Sequence, residues 1–178
     1  MFRDVTFSAR GGESWAITGP NGIGKSSLLS IIAKYRIPSE GKLTYEPASV
    51  AFAWQSPHVH PPADLHVRDI VRDWQRYKPS EINSDFYDRW KLPAHKPLHM
   101  LSSGMRQRLL VGLTLSLTTG IILLDEPTAH LDEDYRKQIQ SEIVSRMTNP
   151  ELLVVCATND PNEAALFPRI LNLKEYAA

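Results

Sequence analysis

The sequence predicts an α/β fold, a largely parallel sheet flanked by helices on both faces, and three observations carry that prediction. Short apolar runs alternate with stretches of helical periodicity, as strand and helix units in succession require. Two of the runs, Ile121–Leu124 and Leu152–Ala157, are apolar throughout rather than alternating, which suits strands buried on both faces. The stretch Ser14–Thr18 leads directly into a glycine-rich turn and then into a helical segment, Ser27–Tyr35.

The remaining elements follow in order. Val5–Ala9 alternates as a strand and turns at Arg10-Gly-Gly12 into the strand before the glycine-rich loop. Ile37–Gly41 reads as a turn, with short strands near Lys42–Tyr45 and Ser49–Trp54. Pro57, Pro61 and Pro62 make the next segment an extended, irregular connection. Two amphipathic helical stretches come after it: Val67–Tyr77, with Ile70, Val71 and Trp74 on one face, and Ser80–Trp90, with Phe86 and Trp90 on another. Helices are expected over Ser103–Leu117, Asp132–Met147 and Asn162–Leu166, and a last strand over Ile170–Leu173.

Composition bounds the function. A chain of 178 residues is long enough to bury a substantial core as one domain. Its 20 basic and 20 acidic side chains cancel, so no global field draws it to nucleic acid or anionic lipid. The single cysteine, Cys156, excludes an intrachain disulfide and fits a reducing compartment; in its apolar strand it should be an inert core residue. No apolar run reaches the roughly 18 residues that span a bilayer, and Met1-Phe-Arg-Asp4 lacks a signal-peptide core. A cytoplasmic protein is expected.

The chemistry is concentrated at Gly19-Pro20-Asn21-Gly22-Ile23-Gly24-Lys25-Ser26, which fits G-x-x-x-x-G-K-[ST], and at Asp125-Glu126, which end the first buried run. A polyphosphate needs backbone N–H groups wrapped closely around it, hence glycines, and a lysine for its outer phosphates. It also needs Mg²⁺ held by a loop hydroxyl and a strand-end carboxylate, here Ser26 and Asp125. The helix after the loop, including Ser27, directs its N-terminal dipole at the phosphates.

Leu101-Ser102-Ser103-Gly104-Met105-Arg106-Gln107-Arg108 narrows this general nucleoside-triphosphate site. The segment resembles the LSGGQ signature of ATP-binding cassette (ABC) ATPases. Gln55 at a strand end resembles that family's Q-loop, and Thr128-Ala-His-Leu-Asp132 its D-loop. The order of these elements covers nearly the whole chain. The resemblance implies a P-loop NTPase with a RecA-like core over 1–55 and 102–178 and a small helical subdomain over about 56–101. It implies ATP and Mg²⁺ as ligands, with Gln55 contacting metal or water and Glu126 polarising the attacking water. Ser102, Ser103 and Gly104, which in isolation are an ordinary helix cap, would then bind the γ-phosphate of ATP held by an opposite subunit. The implied partners are a second copy or a paralogous ABC subunit in a head-to-tail dimer, and an integral membrane permease on a separate chain. The protein would lie peripherally on the cytoplasmic face of the membrane, with no nucleic acid partner. Alternatives are an ABC ATPase acting without a permease and a nucleotide-gated module with weak hydrolysis.

The sequence departs from the family pattern at several places. Ser103 and Met105 replace a Gly and the Gln of the signature. Asn159, in Thr158-Asn-Asp160, stands where the family has a switch histidine; its neutral amide can donate a hydrogen bond but carries no charge, so slowed hydrolysis is expected. Phe2 lies too near the loop to match the family's adenine-stacking aromatic. His58, His60 and His66 read as loop histidines rather than metal ligands. Arg106 and Arg108 are expected in ion pairs along the helix face, and His130 on the surface or near the dimer partner's site.

Overall fold

The computed structural model describes residues 3–45, 48–53, 62, 64–129 and 131–177. Five parallel strands, β1 (Ser14–Thr18), β2 (Val50–Ala53), β3 (Gly120–Asp125), β4 (Leu152–Ala157) and β5 (Arg169–Asn172), form one sheet in the order β2-β3-β4-β1-β5. The helices are α1 (Lys25–Ile32), α2 (Val67–Tyr77), α3 (Phe86–Arg89), α4 (Ser103–Leu115), α5 (Glu133–Met147) and α6 (Pro161–Ala164).

Strand alternation divides the core in two. Ile122, Leu124, Val154 and Cys156 face one layer, where they meet Leu109, Leu113, Ile139 and Ile143 of α4 and α5. Ile121, Leu123, Val155 and Ala157 face the other, against Leu28, Leu29 and Ile32 of α1. Because β3 and β4 are covered on both sides, their sequences are apolar without interruption. The helix α2 packs on α4 rather than on the sheet, and Trp90 lies against Gly112 of α4. A Cβ at Gly112 would stand 2.8 Å from the Trp90 indole, so this helical glycine is required by packing.

Several expected elements differ. The helix expected over Ser27–Tyr35 begins at Lys25, directly after the left-handed Gly24, and ends at Ile32, before the left-handed Lys34. The helix expected over Ser80–Trp90 is reduced to Phe86–Arg89. The reason is tertiary: the Thr118 N–H donates to the Pro79 carbonyl and the Glu81 N–H to that of Ser116, so this backbone pairs with the end of α4 instead of with itself. No strand forms over Val5–Ala9 or Lys42–Tyr45. Their apolar residues, Val5, Phe7 and Tyr45, still pack on the α1 side of the sheet. The alternation of Val5 and Phe7 therefore records burial without a hydrogen-bonded ladder.

Candidate functional site

The site lies at the carboxyl ends of β1, β3 and β4, three neighbouring strands. From β1 the chain enters the glycine-rich loop, where Gly19 (φ 143°), Gly22 (φ 79°) and Gly24 (φ 116°) all adopt left-handed backbone that side chains disfavour. Gly19 also packs against Leu173, beyond β5, at 3.6 Å from the position its Cβ would take. No side chain caps α1, so the first-turn N–H groups face the loop with the positive end of the helix dipole.

Lys25 is only 5% exposed, and its Nζ donates to the Gly19 carbonyl at 2.9 Å and to Asn159 Oδ1 at 2.6 Å. Burial lowers its pKa from the ordinary lysine value, an effect that Glu126 and Asp125 oppose. Ser26 Oγ donates to Asp125 Oδ1 at 3.1 Å, which joins the loop hydroxyl to the strand-end carboxylate. These are hard oxygen donors of the kind Mg²⁺ takes. Asp125 is buried at the last position of β3.

Glu126, the next residue, has φ 46°, and its N–H donates to the Ala157 carbonyl of β4 at 2.8 Å. A left-handed non-glycine residue before a proline is strained, and the strain turns its carboxylate out of the strand toward the loop. There it lies 3.8 Å from Lys25 Nζ. Asn159 completes the cluster: its Nδ2 donates to Glu126 Oε1 at 2.9 Å and also to Asn21 Oδ1. One amide thus joins the loop, the lysine and the carboxylate.

The signature-like segment lies elsewhere. Ser102 caps α4, accepting from the Met105 N–H at 3.2 Å, and α4 packs on the sheet face opposite to α1. Ser102 and Ser103 are exposed, and a Cβ added to Gly104 would meet no atom within 4 Å. The structure thus brings together Gly19–Ser26, Asp125, Glu126 and Asn159, and it leaves Ser102–Gly104 apart from them. Gln55, His58, His60, His130 and Phe2 lie outside the described residues.

His66 lies 3.7 Å from Asp69, and the described residues contain no metal-competent cluster of three His, Cys, Asp or Glu. In place of ion pairs, Arg106 donates to the Leu101 carbonyl and Arg108 lies over the Tyr135 ring. Cys156 is fully buried and burial pushes its thiol well up, so it is inert. No described helix is long and apolar enough to cross a membrane.

Sequence reasoning missed a buried polar cluster behind the site. The Glu163 carboxylate accepts from Thr128 Oγ1 at 3.0 Å; these two residues and Thr158 are at most 4% exposed. The available signal was an acid placed directly before the apolar run Ala164-Ala-Leu-Phe167.

Comparison with known proteins agrees with this geometry. The ABC transporter family model matches residues 2–129. The chain is 29% identical over 195 residues to the probable iron export ATP-binding protein FetA of Escherichia coli, covering 99% of this chain and 86% of FetA. It is 30% identical to the petrobactin import ATP-binding protein FpuC of Bacillus anthracis, covering 98% of this chain and 72% of FpuC. Its fold matches the dimeric, post-hydrolysis structure of the ATP-binding cassette MJ0796 bound to ADP and Pi, with a TM-score of 0.81 at 22% identity over 96% of this chain and 85% of that one. With the phosphate loop, strand-end carboxylates and signature segment in family order on this sheet, the chain belongs to the ABC transporter family and is one of its ATP-hydrolysing cassettes.

Proposed function

We propose that the cassette energises a membrane permease on a separate chain by closing head to tail on a second copy or a paralogous subunit, with ATP between them. The observation that carries this reading is the division of the site. The loop, Lys25, Asp125 and Glu126 are assembled within one chain, whereas Ser102–Gly104 sit on α4 across the sheet. Gly104 adds weight. Glycine in a helix costs about 0.5–1 kcal/mol relative to alanine, and none of the described residues fills the space its side chain would take. An outside group that approaches the backbone closely, such as a γ-phosphate, gives that glycine a purpose.

In this reading Gly19–Ser27 wrap the phosphates and Lys25 exchanges its loop carbonyls for the outer phosphate oxygens. Ser26 and Asp125, with Gln55, would hold Mg²⁺, which supplies charge neutralisation on the β- and γ-phosphates when bound. Glu126 orients the attacking water and takes its proton, and Asn159 donates toward the γ-phosphate while bonding Glu126. Residues 1–55 and 102–178 act as the RecA-like core, and about 56–101 as the helical subdomain that a permease would grip. The cassette would then lie on the cytoplasmic face of the membrane. FetA and FpuC, named for export and import respectively, leave the direction of transport open.

Asn159 favours a second reading, a nucleotide-gated module with weak turnover, since its amide holds Lys25 and Glu126 together and carries no charge. One experiment addresses the main reading: ATPase rate per molecule measured across a dilution series. Turnover should fall toward zero as dimers dissociate. A rate per molecule that stays constant into the concentration range where the chain is monomeric would rule out a shared site.

A further inference from the structure

We infer that Glu163 is a positioning residue that sets Glu126 and Asn159 against each other by tying together the two strand-end segments that carry them. The inference rests on the roles given above to Glu126 and Asn159. Glu163 belongs to α6, a four-residue helix that Asp160 caps by accepting from the Asn162 N–H at 2.8 Å. Its side chain is 1% exposed and points back beneath the strand ends.

A closed circuit results. Glu126 is followed, two residues on, by Thr128, whose hydroxyl donates to Glu163 Oε1 at 3.0 Å. On the other side the Thr158 hydroxyl accepts from the Asp160 N–H at 3.0 Å, its own N–H donates to the Ile17 carbonyl of β1, and the Ala164 N–H, next to Glu163, donates to the Asp160 carbonyl at 2.9 Å. Asn159 comes next in the chain, and its amide returns to Glu126 Oε1 at 2.9 Å. One buried group therefore governs both ends of the Glu126–Asn159 hydrogen bond without touching the nucleotide site.

The chemistry explains why a carboxyl group stands there. The buried Thr128 hydroxyl needs an acceptor, and the Glu163 carboxyl group supplies one from the first turn after Asn159. Desolvation works against the charge: burial raises the Glu163 pKa from the ordinary value, the Thr158 and Thr128 hydroxyls lower it, and Asp160 and Glu126 add to the rise.

The test is steady-state ATP hydrolysis by four variants, with tripolyphosphate binding as a control for the phosphate loop. Glu163→Ala should lower kcat by about 10- to 100-fold, the effect of a small misplacement of a catalytic group, with KM for ATP and tripolyphosphate affinity within about twofold of wild type. Glu163→Gln, which can still pair with the Thr128 hydroxyl, should recover most of the rate. Thr128→Val, which removes one bond at constant shape, should fall between them. The inference is overturned if folded Glu163→Ala keeps full kcat, or if Gln rescues no better than Ala. Should Glu163→Ala not fold, a Thr128→Val protein with unchanged kcat overturns it equally. Glu126→Gln, the fourth variant, separates this from the site reading: full turnover there would fail that reading whatever Glu163 does.

Discussion

The phosphate loop and the signature segment are both helix N-termini rich in glycine and serine, yet the fold treats them in opposite ways. Around the loop every chemical side chain is engaged: Lys25 and Asp125 are buried, Ser26 bonds Asp125, and Asn159 ties Lys25 to Glu126. At the start of α4, Ser102 is used as a cap, Ser103 faces solvent and Gly104 has open space beside it. The first region is preorganised by its own chain, which lowers the cost of binding a highly charged ligand. The second is left open by its own chain. The difference teaches that two similar helix starts can be closed by internal bonds or left accessible, depending on what packs around them.

The sharpest way to break the first region is Glu126→Gln. Hydrolysis should drop by about 10² to 10⁴, the usual worth of general-base assistance, while ATP affinity measured by calorimetry is retained. Parallel loss of binding and turnover would mean that Glu126 shapes the loop rather than the reaction.

Gly104→Asp tests the second region with the next largest effect. An acid in the first turn of α4 suits the helix dipole, so the melting temperature should hold or rise slightly. Turnover should fall by about 10² or more, since a carboxylate would replace stabilising N–H donors at a phosphate. A fall in melting temperature with unchanged turnover would assign Gly104 to the fold alone and dissolve the contrast.

The smallest effect is expected at Asn159, where Asn159→His should raise kcat by about 10- to 100-fold, less than the full worth of one transition-state donor because the amide already supplies a hydrogen bond. Unchanged kcat would mean that the neutral amide suffices, and the weak-turnover reading would lose its support.

By itself the sequence determined the parallel sheet, the strand–loop–helix unit and the candidate site residues, because each is local. Uninterrupted apolar runs, the spacing of three glycines and a lysine, and Asp-Glu at a run's end need no knowledge of distant neighbours. One cap was equally legible: Ser102 starts its helix where the pattern puts it. Tertiary structure decided what depends on partners far along the chain. Residues 79–81 gave up their helix to pair with 116–118, and Val5–Ala9 alternates without joining a ladder. Above all, Lys25 meets Asn159, and Thr128 meets Glu163, only because three parallel strands place their carboxyl ends side by side. A hydrogen bond between residues so far apart leaves no period or motif in the sequence, since its geometry exists only once the sheet has ordered the strands.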